Sequence, residues 1–401
     1  MISIDQAKIN WIVSESRRVV LANREELSRR GLPNAHQRRE RPGVWYSPGG
    51  PYRGLWTIDF CYLVEGLPEA LDVWDIKFAY YLLLRYQRAD GGVPFYISVD
   101  EEAGYETRHN SSQESRKFEF TDANNSPFLV KIAYAYYLHT GDLELVASTI
   151  QRLKRAMDNV PLGRHGLVWI DPDNPYTGYG YTDSILKRGY DLFCTIAYWE
   201  AARIMEKFYQ LLGCPREAMD FVERAQRIEE NLEILWDDAQ GAYLSDSDGE
   251  RKVDIWGNAY LSSLNMPVRR RGAVDAFLLN RLDDYTWRGQ VRHLLNGEFW
   301  DHPIIKWKPG EYQQGAYWGA ASGWVMQAVA KTNPQRAEQM ANELIDYFQS
   351  VGVFECVNEG YTKGKDYVSS ILNPLAALKK LLPPEQVARA FTEAGMNYRT
   401  T

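Results

Sequence analysis

Residues 125–159 read NSPFLVKIAYAYYLHTGDLELVASTIQRLKRAMDN, and the fold is decided here. The first half, Asn125–His139, is aromatic and rich in small residues, while the second, Asp142–Asn159, is far more charged. Between them Thr140-Gly141-Asp142 supplies a glycine to close one helix and an aspartate to open the next. In a closed ring of helical hairpins an inner helix is covered on all sides and an outer helix on one side only, which predicts this alternation. The expected fold is all-α, an (α/α)6 barrel.

Outward from this hairpin the same periodicity predicts helices at about 5–30, 56–66, 70–88, 183–212, 215–236, 255–265, 271–281, 315–331, 334–350, 366–381 and 384–394. Leu212-Gly213-Cys214-Pro215 and Thr332-Asn333-Pro334 repeat the stop-and-start signal. β-like segments are short, around Gly92–Val99 and Ala242–Ser245. No Pro-, Gly- or Ser-rich linker divides the 401 residues, so one domain, 1–401, is expected. Four long loops, Trp45–Trp56, Gly91–Asn125, Gly163–Asp183 and Asp283–Gly315, are aromatic and rich in Gly and Pro, as expected of connections that build a binding site on one rim.

A content of 45% hydrophobic and 13% aromatic residues supports a large core. The net charge of −7 carries no long basic run, which argues against a nucleic-acid partner, and Arg269-Arg270-Arg271 reads as a solvated cluster. Met1–Arg30 lacks the apolar core and cleavage site of a secretory signal, and no run reaches the about 18 apolar residues of a membrane span. A cytoplasmic protein without a membrane partner is expected. Cys61, Cys194, Cys214 and Cys356 are isolated and read as reduced packing residues, with Cys356 a candidate pocket neighbour of Glu355.

Five aromatic clusters, each with a carboxylate or amide, stand out: Leu55–Phe60, Tyr179–Ser184, Val253–Asn258, Gly310–Trp318 and Phe354–Glu359. Aromatic faces cover the apolar side of a sugar ring while carboxylates and amides hydrogen-bond its hydroxyls, so a carbohydrate substrate is expected. Cleaving a glycosidic bond needs an acid for the leaving oxygen and, in the inverting mode, a second carboxylate to activate water. Asp183, expected at the start of a long helix, is one candidate, although an N-cap would also place an aspartate there. Glu355 is the other: it sits in an apolar stretch where a carboxylate is costly to bury, and a structural ion pair is its alternative. Glu311 and Glu359 are the nearest competitors. Trp56, Asp59, Tyr181, Asp254 and Trp256 are candidate sugar contacts, with an Asp59–Arg53 ion pair as the alternative for Asp59. Gln313, Tyr317, Trp318 and Trp324 are candidate walls or ordinary core.

Tyr181-Thr182-Asp183-Ser184, Tyr317–Trp324 and Phe354–Gly360 follow the order and approximate spacing of motifs in six-hairpin glycosidases. Over about residues 45–380 the chain resembles the trehalases and the processing α-glucosidase and mannosylglycerate hydrolase group. Those families carry a Trp-Asp-Xaa-Ser motif with the general acid, a Tyr-Trp-Xaa-Gly-Xaa-Xaa-Trp segment lining the site, and a late Glu-Xaa-Tyr motif with the base. Trp56-Thr57-Ile58-Asp59-Phe60 is similar to the Trp-Xaa-Arg-Asp-Phe segment of neutral invertases. Thr182 stands where Trp is usual, Ile58 where Arg is common, and Val357 where Tyr follows the base. The resemblance implies Asp183 as acid, Glu355 as base, and inversion.

The leading expectation is an exo-acting glycoside hydrolase for a small oligosaccharide or glycoside, with no metal or cofactor. A sugar 2-epimerase would instead need converging histidines. Of His36, His109, His139, His165, His293 and His302, three (109, 293 and 302) lie in rim loops. An unsaturated-glucuronyl hydrolase would use Asp183 or Asp59 to protonate a vinyl ether, and a non-catalytic sugar-binding barrel is the remaining alternative. Arg53, Arg108, Lys306 and Lys308 on the rim would favour an acidic sugar if they clustered at the pocket. The sequence carries no Ser-His-Asp arrangement, phosphate-cradling Gly loop or HExxH spacing, which disfavours phosphoryl transfer and metalloenzyme chemistry.

Overall fold

The computed structural model describes residues 1–26, 43–98, 103–104, 123–175 and 181–398. Among them are thirteen α-helices: α1 (Gln6–Ala22), α2 (Thr57–Gly66), α3 (Val73–Arg85), α4 (Asn125–Thr140), α5 (Leu143–Asn159), α6 (Leu192–Leu211), α7 (Pro215–Asn231), α8 (Ile255–Ser263), α9 (Arg271–Asn280), α10 (Ser322–Ala330), α11 (Pro334–Val351), α12 (Val368–Leu381) and α13 (Pro384–Glu393). The protein is all-α, with only short antiparallel pairings between its helices.

Each even-numbered helix packs on the next, α2 on α4, α4 on α6, α6 on α8, α8 on α10 and α10 on α12, and α12 returns to α2. Odd-numbered helices lie against them, α5 on α4 and α6, α7 on α6, α9 on α8 and α10, α11 on α10, and α1 on α12. Composition explains the division. α8 is buried at every position from Ile255 to Ser262, whereas α7 buries only Ala218, Phe221, Ala225 and Ile228, a single i, i+3, i+7 stripe. Close approach within the even set depends on two glycines: a Cβ at Gly66 of α2 would stand 2.8 Å from Leu372 O, and one at Gly323 of α10 would stand 2.4 Å from Asn373 O. One contiguous apolar core runs from Ile2 to Met396.

The turn signals act as expected. Gly141 ends α4 in the left-handed region at φ 74°, Asp142 caps α5 by accepting from Leu145 N at 3.0 Å, and Asn333 caps α11. Three expectations differ. The helix expected from 183 begins at Leu192, because Asp191 is the cap (from Cys194 N, 2.7 Å) while Gly189–Tyr190 pairs with Trp169–Ile170. The helix expected from 315 begins at Ser322, because Tyr317 pairs with Val357 and Trp318 with Val291. The first helix ends at Ala22, since Arg24–Glu26 pairs with Val44–Tyr46. An antiparallel hairpin that the periodicity did not predict, Phe354–Asn358 with Tyr361–Lys365, follows α11.

Candidate active site

Trp56 is the N-cap of α2 and Tyr367 that of α12, so both stand at the same, N-terminal end of the even helices. There, Asp59, Asp183 and Glu355 line a single cavity with the rings of Tyr52, Trp56, Phe95, Tyr312 and Tyr367. All three carboxylates are buried. With the side chains as they lie, the remaining space is about 20 Å³, room for roughly one water.

Glu355 comes from the hairpin after α11. Tyr52 OH donates to its Oε1 at 2.8 Å, and Lys363, on the opposite strand, reaches Oε2 at 2.5 Å and donates to Tyr52 OH at 2.6 Å. The Lys363 ammonium also sits 3.9 Å from the centre of the Tyr312 ring. Gly364 makes the arrangement possible: at φ 66° it leaves open a place where a Cβ would lie 2.9 Å from Glu355 Oε2. The ion-pair alternative for Glu355 is therefore realised, and it is realised inside the cavity that also holds Asp183.

Asp183 lies in a turn rather than at a helix start. Gln313 Nε2 donates to its Oδ1 at 2.6 Å, and Gln313 is itself oriented by Ser184, whose N donates to Gln313 Oε1 at 3.1 Å. Burial pushes the Asp183 carboxyl up to about 7, against the Gln313 hydrogen bond and the Lys363 charge, with the Glu355 charge adding to the rise. Asp59, in the first turn of α2, accepts from Ser369 Oγ at 2.7 Å and Tyr181 OH at 3.2 Å. Burial takes it up to about 6 despite those hydrogen bonds. It does not pair with Arg53, which lies 3.6 Å from Glu25.

The other candidates lie outside this lining. Trp256 stacks on His293 with centroids 4.0 Å apart and meets Trp318 and Trp324 edge-on, and Tyr181 packs over Trp256 and Trp318, so these rings form a buried layer beneath the cavity. Asp254 caps α8 through Gly257 N at 3.0 Å, and burial raises its carboxyl. Tyr317 packs on Trp287 and under Arg292. Glu311 accepts from Lys308 N at 3.3 Å, and Glu359 is exposed at the hairpin turn. Cys356 is buried next to Glu355 without lining the cavity, and all four cysteines are free. Lys306 and Lys308 do not line it either. Arg108, His36, His109 and residues 176–180 lie outside the described residues.

Among the described residues no histidine lines the cavity. His293 is buried against Trp256, with desolvation holding it well below the ordinary value, while His302 sits 3.1 Å from Glu250. Sequence reasoning missed Tyr52, Lys363, Tyr367 and Ser369. Alternating side chains around Asn358-Glu359-Gly360 were the available signal for the hairpin that brings in Lys363. Among the described residues no helix is long and apolar enough to cross a membrane, and no group of three or more His, Cys, Asp or Glu is placed to hold a metal ion.

The helical architecture is one shared with glycoside hydrolases. No family model matches the chain, and no curated protein matches it. Among solved structures, a GH63 mannosylglycerate hydrolase from Thermus thermophilus in complex with glucose aligns with TM-score 0.61 at 16% identity, over 91% of this chain and 99% of that one. A rhamnosidase from Klebsiella oxytoca with rhamnose bound aligns with TM-score 0.61 at 13% identity, over 94% of this chain and 64% of that one. A GH78 family rhamnosidase from a Bacillus species aligns with TM-score 0.57 at 13% identity, over 95% of this chain and 35% of that one. At these identities the likeness is one of fold.

Proposed function

We propose that the chain is a glycoside hydrolase built as a single-domain (α/α)6 barrel. In this reading Asp183 is the general acid and Glu355 the general base of an inverting, exo-acting cleavage of a small oligosaccharide or glycoside, without metal or cofactor. The observation that carries the proposal is the meeting of Asp183 and Glu355 in one buried aromatic cavity. The ring of even helices supports the barrel, the contiguous core supports one domain, and the shared fold with a mannosylglycerate hydrolase and two rhamnosidases supports a sugar substrate.

Burial keeps Asp183 protonated up to about neutral pH, the state a general acid needs. Gln313 holds Oδ1 of this carboxyl, and in this reading the protonated carboxyl hands its proton to the leaving glycosidic oxygen. Glu355 takes a proton from the water that attacks the anomeric carbon from the opposite face, so the C–O bond to the leaving group breaks as the new one forms. Asp59, held by Ser369 and Tyr181, is placed to accept from a sugar hydroxyl, and Trp56 offers a ring face. Since about 20 Å³ is free, admitting a sugar ring requires side chains of the lining to shift.

Sugar release is to be measured from a panel of aryl glycosides and natural disaccharides, glucuronides included, by wild type, Asp183→Asn and Glu355→Gln, with the product anomer read by NMR. Release that both substitutions abolish, with an inverted product, is expected. Activity surviving both would remove the chemistry from this cavity. A second reading, hydration of an unsaturated glucuronyl unit, is favoured by the second raised carboxyl, Asp59, in the same cavity. It needs one acid, so it is marked by turnover of an unsaturated glucuronide that Glu355→Gln leaves intact.

A further inference from the structure

We propose that Gln313 is the positioning residue of the candidate acid: its amide, locked in one orientation by Ser184, presents Asp183 with a donor and so keeps the acid able to release its proton. The proposal rests on the reading of Asp183 as the general acid. Ser184 decides which way the amide lies. Its backbone N–H can only donate, and it does so to Gln313 Oε1 at 3.1 Å, joined there by the Ser184 hydroxyl. With Oε1 so held, Nε2 is the atom turned to Asp183, and it donates to Oδ1 at 2.6 Å. All three residues are buried, so solvent does not loosen these contacts.

The turn that carries Gln313 is built to hold it there. Gly310 N donates to Gln314 O at 2.7 Å and closes the turn around Tyr312, which stands at φ 44°. A bulky residue in that region is strained, and the conformation persists only where the surroundings enforce it. Both following residues supply the enforcement. Gln313 is tied to Asp183 and Ser184, while Gln314 is tied to Trp300, accepting from its N at 2.9 Å and donating to its O at 3.0 Å. Tyr312 itself lines the cavity with Asp183, so one strained turn places a cavity wall and the amide that addresses the acid.

The polarity of that amide matters because of what else acts on Asp183. Glu355 and Lys363 of the hairpin and the phenols of Tyr52 and Tyr312 stand around it, with Asp59 in the same cavity. Burial dominates and holds the proton on, and the Gln313 hydrogen bond is the largest of the influences that oppose it. A general acid has to part with its proton as well as carry it, and a donor aimed at the carboxylate favours release. The opposite amide orientation would offer an acceptor, which favours retention.

The test compares wild type with Gln313→Leu, which removes the donor, and Gln313→Glu, which keeps the shape and an oxygen for Ser184 but turns an acceptor to Asp183. In each background the infrared carbonyl band of the protonated Asp183 carboxyl is followed against pH and assigned by its loss on adding Asp183→Asn, with folding checked by circular dichroism and melting. The pH profile of sugar release by the same proteins is measured alongside. The midpoint of the band is expected at about 7 in wild type, about one pH unit higher in Gln313→Leu and higher still in Gln313→Glu, with the alkaline limb of kcat moving in step. A residue that merely fills space would lower turnover without moving the midpoint. An unmoved midpoint in folded Gln313→Leu protein overturns the proposal, and so does an alkaline limb that stays in place while the midpoint rises. If the midpoint rises but no glycoside is hydrolysed, or Asp183→Asn hydrolyses as well as wild type, the hydrolase reading falls while the hold of Gln313 on Asp183 stands.

Discussion

Asp183 feels influences of opposite sign. Burial and the Glu355 charge favour its neutral form, whereas Gln313 and Lys363 favour the carboxylate, and burial wins, leaving it at about 7 against an ordinary 3.8. The folded chain thus binds this proton more tightly than the unfolded chain. The resulting stabilisation is complete below the unfolded value, near pH 4, and is lost as pH rises through 7, with a ceiling of about 4 kcal/mol for a shift of this size. Asp59, at about 6, acts with the same sign. Asp183→Asn keeps an oxygen for Gln313 and never ionises, so its melting temperature is expected to exceed that of wild type by most at pH 8, by less at pH 5, and to converge with it below about pH 4. Equal melting at both pH values would show that Asp183 is not held neutral. The same substitution is expected to lower turnover by roughly 10²–10⁴-fold, the usual contribution of a positioned acid, while wild-type turnover declines above pH 7.

At the scale of elements, the hairpin after α11 does more for the candidate site than any helix, since it delivers both Glu355 and Lys363. Gly364→Ala forces a side chain onto φ 66° and against Glu355, and is expected to cost about 1–3 kcal/mol by chemical denaturation and to lower turnover. Lys363→Met strips the counter-charge from Glu355; because Lys363 is 23% exposed, a loss of about 2 kcal/mol is expected rather than the roughly 3–5 kcal/mol of a fully buried pair. Unchanged stability in both variants would mean that the hairpin does not hold Glu355 as described. This element also marks where the sequence ceased to be legible. Helical period and caps located α2, α4, α5, α11 and α13 closely, because those helices begin and end on local signals such as Asp142 and Asn333. The starts of α6 and α10 were misplaced because strand pairing between distant residues, Trp169 with Tyr190 and Tyr317 with Val357, overrides local helical pattern. Asp183, Glu355, Asp59 and Trp56 could be picked out since acids beside aromatic rings are conspicuous. Their partners Tyr52, Lys363 and Ser369 could not, because only the tertiary fold brings them near.

For the whole molecule, the proposal of one domain has a thermodynamic consequence. The even helices contact one another in a closed succession, and the joint between its last and first members, α12 on α2, is as much a part of the core as any other. Melting one segment of such a ring exposes the apolar faces of its neighbours on both sides, so no half can remain packed alone. A single calorimetric peak is expected, with van't Hoff and calorimetric enthalpies in agreement, although a chain of 401 residues is long enough for two domains. Gly66→Ala probes the closing joint directly, since the added Cβ would stand 2.8 Å from Leu372 Cβ and from its carbonyl oxygen. Backbone contacts at that distance cannot be relieved by a rotamer change, so the helices have to part, and a loss of about 1–3 kcal/mol is expected. If the ring is one cooperative unit, the whole peak moves to lower temperature and stays single. A variant peak that splits, with one component left at the wild-type temperature, would show that α2 and α12 belong to units that fold separately.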